Sequence, residues 1–188
     1  MITKFFSPKE LEGYYKKLTK EVSSTDFFTK PLHSKTQEIW CAAYFGKGYH
    51  RNIKPCSIGI DEIDLQEDFD FTIKVGDHEF PFQLTEIQEP NRRRGDEYKN
   101  GNYQEWEYEN WEPGTENGPI WIREAIQKKI GKFYSEPHKL NLLVYVNFSA
   151  WEHNYKTIIE ETKDLYDVFA SIWLMNGNAI CSLYSTIE

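Results

Sequence analysis

The chain has 188 residues, 16% of them aromatic, with a net charge of −8 and three cysteines. That length suits one domain with a substantial core, and the aromatic content excludes a disordered chain. The acidic balance argues against a general nucleic-acid coat protein, and Cys41, Cys56 and Cys181, scattered without CxxC spacing, read as reduced thiols.

The charge is segregated along the chain. Acids crowd into 61–70 and 105–116, while bases gather at 92–94 and 128–132. No apolar stretch approaches the roughly 20 residues of a membrane span, and no apolar run follows the first Lys of MITKFFSPKE. The expected location is therefore the cytoplasm, with no membrane partner.

Ser7-Pro8 is a good cap and first-turn pair, and Leu11, Tyr14, Tyr15 and Leu18 follow at helical spacing. Residues 21–33 read as a loop, so 1–33 is expected to be a helical extension. A second helix is predicted from Ser34 to about Phe45, ended by Gly46 and Gly48, with Glu38 among its apolar residues. Ser57 to Leu65 can hold a short strand. After a hairpin at 68–88 comes a long stretch, 89–118, rich in Gly, Asn, Glu and aromatics, expected to be an inserted loop. Ile120, Ile122, Ala125, Ile126, Ile130 and Phe133 predict an amphipathic helix to about Tyr134, with Arg123, Lys128, Lys129 and Lys132 on its other faces. Asn141 to Phe148 has the character of a buried central strand. A long helix is predicted over 157–175 and a last strand over 179–184. The class is α/β, a single domain over 1–188 with a central mixed β-sheet flanked by helices.

The hairpin carries the most informative pattern. Phe69, Phe71, Ile73 and Val75 alternate with Asp68, Asp70, Thr72 and Lys74; Gly76-Asp77 supplies the turn; Phe80, Phe82 and Leu84 alternate on the return. Asp68 and Asp70 share one strand face, and Glu86 and Gln88 share another. An antiparallel pair is expected to bring Asp70 and Glu86 within reach of one ion, because a hard cation relieves the repulsion between approaching carboxylates.

Glu38 on a helix, Asp68 or Asp70 opening a strand, Glu86-Ile87-Gln88 ending the next, the basic helix AIQKKIGKFY and the strand LLVYVNF come in that order. The order, over about residues 34–150, resembles the PD-(D/E)XK superfamily, whose members share the restriction-endonuclease-like fold. The resemblance implies an Mg²⁺- or Mn²⁺-dependent nuclease hydrolysing DNA, with Asp70 as first metal ligand, Glu86 as second, and Asp68 competing with Asp70. Glu38 would assist the metal, and Gln88 stands where the family carries a catalytic Lys. Lys128 or Lys132 on the following helix would supply that charge. A second register uses Gln83 and Thr85, leaves Glu86 outside the motif and implies an inactive site. A homodimer is among the assemblies the resemblance implies.

Arg92, Arg93 and Arg94 either contact substrate phosphates or form a solvated patch pairing with nearby acids. Trp106, Tyr108 and Trp111 either stack on bases or cover a core edge. Two other functions compete with the nuclease. One is an inactive binding or regulatory module of the same fold, suggested by the missing motif Pro and Lys. The other is an acidic interaction protein working through its Trp/Tyr/Glu-rich loop.

Overall fold

The structure, a computed structural model, describes residues 3–30, 34–61, 68–90, 92 and 111–186. Seven strands form one mixed sheet whose spatial order follows the chain: β1 (Thr3–Phe6), β2 (Ser57–Asp61), β3 (Phe71–Val75), β4 (His78–Ile87), β5 (Asn141–Val146), β6 (Ser171–Asn176) and β7 (Ala179–Ser185). Among the described residues five α-helices accompany it: α1 (Pro8–Thr19), α2 (Ser24–Thr29), α3 (Ser34–Asn52), α4 (Glu112–Ile130) and α5 (Tyr155–Thr162). Only the β4–β5 and β5–β6 pairs are parallel. Each parallel step needs a crossover, and α4 and α5 supply the two.

Alternation along the central strands builds two cores. Leu143, Trp173 and Met175 face α1 and α3, packing with Leu11, Phe45, Ile58, Phe71 and Phe82. Leu142, Val144, Ile172 and Leu174 face α4 and α5, packing with Ile122, Ile126, Ile158 and Phe169. β5 is buried on both faces, which is why NLLVYV is a nearly continuous apolar run. At its start Asn141 Nδ2 donates to the Pro81 carbonyl (3.0 Å), Ser171 Oγ donates to Asn141 Oδ1 (2.6 Å), and Trp173 Nε1 donates to Ser171 Oγ (2.8 Å). Buried polar groups are thereby satisfied where three strands meet.

Several boundaries differ from the sequence reading. α3 runs through Gly46 and Gly48 because these residues let the helix approach the sheet. A Cβ on Gly48 would lie 2.9 Å from Ile180 Cγ2, and one on Gly46 would strike the Ile58 side chain. α4 starts at Glu112 with Pro113 in its first turn, so 112–118 belongs to a helix rather than to a loop. Gly118 lets this first half of the helix lie against the Phe148 ring. The helix expected over 157–175 stops at Thr162, continues as a 3₁₀ segment over 163–168, and gives way to β6. A short apolar run buried on both faces has no period that separates strand from helix. The expected N-terminal extension also holds β1, which pairs with β2, and the short α2. No helix among the described residues is long and apolar enough to cross a membrane.

Candidate functional site

β4 has two unlike halves. From His78 to Phe82 it pairs with β3 through a tight turn at Gly76 (φ 61°) and Asp77. From Phe82 to Ile87 it pairs with β5. Among the described residues no strand covers its other edge beyond Phe82, where Asp70 N donates to the Phe82 carbonyl (2.8 Å) as the last rung. Asp70 closes the ladder with its side chain: Oδ2 accepts from the Leu84 amide (2.6 Å) and from Gln83 Nε2. A carboxylate thus takes the place of a strand at the point where β4 loses its neighbour.

The register separates the two expected metal ligands. Phe71 lies opposite Phe82, so Asp70 lies opposite Gln83 and shares its face, the α4 side. Glu86 shares the α3 face with Phe82 and Leu84, about 10 Å further along the strand. There Gln37 Nε2 donates to Glu86 Oε2 (2.7 Å) and Asn147 Nδ2 donates to Oε1. The expectation that the hairpin brings Asp70 and Glu86 within reach of one ion meets a strand parity that turns the two toward opposite faces of β4. What they share is the opening beside β4. Cys41, buried on α3 under this end of the sheet, feels Glu86, Glu38 and Asp70 together; burial first, then those charges, push its thiol well above the ordinary range.

Lys129 lies within electrostatic reach of Asp70 and Glu38. The sequence reading placed it on an outer face and favoured Lys128 and Lys132, yet both of these are exposed and Lys129 is buried. Ile122, Ile126 and Lys129 recur at steps of four and three, which sets Lys129 on the core-facing stripe of α4. Burial lowers its pKa to about 8, assisted by Lys132 and Lys128, against the opposing pull of Asp70 and Glu38. Tyr134, just past the end of α4, carries its phenol at about 12, raised by burial and then by Asp70 and Asp68.

The remaining candidates take separate places. Asp68 Oδ2 accepts from Ser135 N (2.6 Å) and Ser135 Oγ, tying the start of β3 to the turn after α4. Those two bonds hold its carboxyl below the usual range. Glu38 pairs with Lys35 (3.1 Å) on α3. Gln88 is half-buried just beyond β4. Arg92 is held by Glu89 (3.1 Å), whose other oxygen accepts from Ser149 N (2.9 Å) at the exit of β5. Arg93, Arg94, Trp106 and Tyr108 lie outside the described residues. Trp111, at the entry to α4, packs on Trp151 with ring centroids 5.0 Å apart.

Among the described residues no group of three or more His, Cys, Asp or Glu side chains is placed to hold a metal ion. Gln37 and Asn147 escaped the sequence reading, and Gln83 entered it only through the second register. Gln37 was accessible to it, since Gln37, Cys41 and Phe45 recur at four-residue steps on the buried face of α3. No model of a protein family, no curated protein and no solved structure matches this chain.

Proposed function

We propose that the protein is a metal-dependent phosphodiesterase acting on DNA, built on a restriction-endonuclease-like core formed by α3, β2, β3, β4, α4 and β5. The observation that carries this reading is Lys129, a buried lysine within electrostatic reach of Asp70 and Glu38 beside the half of β4 that no described strand covers on its other edge. Structural lysines are seldom buried, and a desolvated one beside carboxylates marks a place where protons move.

In this reading Asp70 holds Mg²⁺ or Mn²⁺. Mg²⁺ commonly takes one or two carboxylates and completes its shell with waters and substrate phosphate, so a single carboxylate at an open strand edge suits it better than a closed cage would. When bound, such an ion polarises the phosphoryl group and acidifies a water. Leu84 N and Gln83 fix the Asp70 carboxylate. Lys129, with a pKa of about 8, is neutral in an appreciable fraction of molecules near pH 7 and takes a proton at Nζ from the attacking water. Glu86, clamped by Gln37 and Asn147, joins α3, β4 and the exit of β5 and is a positioning residue.

A single-turnover cleavage assay on DNA with Mg²⁺ or Mn²⁺ tests this. Both Asp70→Asn and Lys129→Met are expected to slow cleavage by about 10²–10⁴-fold. Wild-type rates in either variant sink the assignment. Gln83, which stands opposite Asp70, favours a second reading, a module that binds without cutting. That version predicts no Mn²⁺ binding heat and no cleavage with either ion.

A further inference from the structure

Beside Asp70, on the α4 side of the sheet, a cavity of about 710 Å³ is walled by Phe69, Phe133, Tyr134, Leu140, Asp68 and Glu136. Three of its features bear on what it can hold. Phe133 is fully exposed at the rim, at 103% of its reference area, although a phenylalanine gains nothing from water. Tyr134 Oη is buried and meets no hydrogen-bond partner among the described residues. Third, Asp68 and Glu136 give the walls an acidic character, and the one lysine there, Lys139, is spent on Glu136 at 2.6 Å. Phosphate is therefore unwelcome inside the cavity. A flat, uncharged, aromatic group with hydrogen-bonding edges suits it: the rings offer stacking surface, while the phenol and carboxylates meet amino and imino edges.

We propose that this cavity is a subsite for an unpaired nucleobase, stacked on Phe133, so that the substrate is a nucleic acid with a single-stranded nucleotide next to the scissile phosphate. The inference rests on the phosphodiesterase reading and narrows its substrate. Phe69 adjoins Asp70 in the chain, and Tyr134 feels the charges of both Asp70 and Asp68, so a base in the cavity leaves its phosphate near Asp70 and Lys129. A base inside a duplex is sealed by stacking and pairing and reaches such a pocket only by flipping out.

The test is fluorescence anisotropy in EDTA with labelled 12-mers: single-stranded DNA, the RNA of the same sequence, and the blunt DNA duplex. Phe133 is fully exposed, so Phe133→Ala should not disturb folding, and the wild-type melting curve checks this. We expect Phe133→Ala to weaken binding of a single strand, DNA or RNA, by about fivefold or more, in line with the contribution of one stacked base. Duplex binding should not change, and Phe133→Trp should restore single-strand affinity. Equal single-strand affinity of Phe133→Ala and wild type overturns the subsite, as does an equal loss on single strand and duplex. Selective loss without cleavage under any metal leaves the subsite standing and removes the phosphodiesterase reading. Cleavage of DNA by a Phe133→Ala protein that binds single strands normally does the reverse.

Discussion

The two halves of β4 differ in what holds them. In the first half Phe82 stacks on Phe71 across the strand pair (ring centroids 5.1 Å, planes 11° apart), and Phe45 of α3 packs on both. The charged contact there, Lys74 Nζ donating to Glu79 Oε1 (2.8 Å), lies exposed at the turn end of the pair. In the second half the neighbouring strand stops, and side chains with charge or hydrogen-bonding capacity take over: Asp70 on the Leu84 amide, Gln37 and Asn147 on Glu86. One strand thus carries an apolar, stacked segment and a polar, hydrogen-bonded one, joined at Phe82. Substitutions in the first should cost stability, and substitutions in the second should cost activity.

The largest expected effect is on activity. Asp70→Asn keeps the shape of the side chain and an oxygen for Leu84 N, so the fold should survive, while DNA cleavage should fall by about 10³-fold. Loss of the carboxylate also removes the strongest of the charges that pull the Lys129 pKa upward. In Asp70→Asn the Lys129 ammonium should therefore titrate below its wild-type value of about 8, which NMR of the lysine side chains can follow. An unchanged or higher value would mean that the two groups do not sense each other.

Phe45→Ala should show the opposite profile. Phe45 is fully buried against Tyr49, Phe71, Phe82 and Trp173. Its truncation should cost about 3–5 kcal/mol in urea denaturation. Cleavage measured well below the denaturation midpoint should stay within a few-fold of wild type. If activity falls in step with that of Asp70→Asn, the division of β4 is wrong.

Much of this division is legible in the residues once the turn fixes the register of the hairpin. The alternation of Phe71, Ile73 and Val75 with Phe80, Phe82 and Leu84 gave the hairpin, and a two-residue turn at Gly76-Asp77 forces Val75 opposite His78. Counting back along both strands from that pair sets Asp70 opposite Gln83, not Glu86. Lys129 was legible in the same way, from its spacing to Ile122 and Ile126. Other features depend on contacts distant in sequence. That α3 continues through Gly46 and Gly48 follows from Ile58 and Ile180, and that Ser171–Asn176 is a strand follows from β5 lying beside it. Local pattern holds neither fact.

Lys129 sharpens the comparison from a different side, because a group kept for chemistry should be a burden on the fold. Its pKa is about 8 in the folded chain against roughly 10.4 in an unfolded one. Between those values the unfolded chain holds a proton that the folded chain has released, so stability from this group rises with pH through that window and is flat below about pH 8. At neutral pH the buried ammonium lowers stability, and Lys129→Met should raise it by roughly 1–3 kcal/mol while slowing cleavage. Urea midpoints at pH 7 and pH 10 check the sign: the gain over wild type should shrink at the higher pH. A variant that is less stable at pH 7 would make Lys129 a structural residue.

The smallest effect belongs to a charge pair remote from β4. Arg123 of α4 donates from Nη1 to Asp164 Oδ1 (2.6 Å) and from Nη2 to Oδ2 (2.7 Å), and Nη1 also reaches the Glu161 carbonyl at the end of α5. The geometry is bidentate, and the Asp164 carboxyl is held below its usual range chiefly by that contact. Exposed pairs of this kind are nonetheless screened by water and salt. Arg123→Ala should lower the melting temperature by less than any change described above, by less again in high salt, and leave cleavage untouched. A salt-independent loss as large as that of Phe45→Ala would show that α4 is held in place by this pair rather than by Ile122 and Ile126. The position of Lys129 would then depend on surface charge, and the separation between a stabilising and a chemical part of the fold would not extend beyond β4.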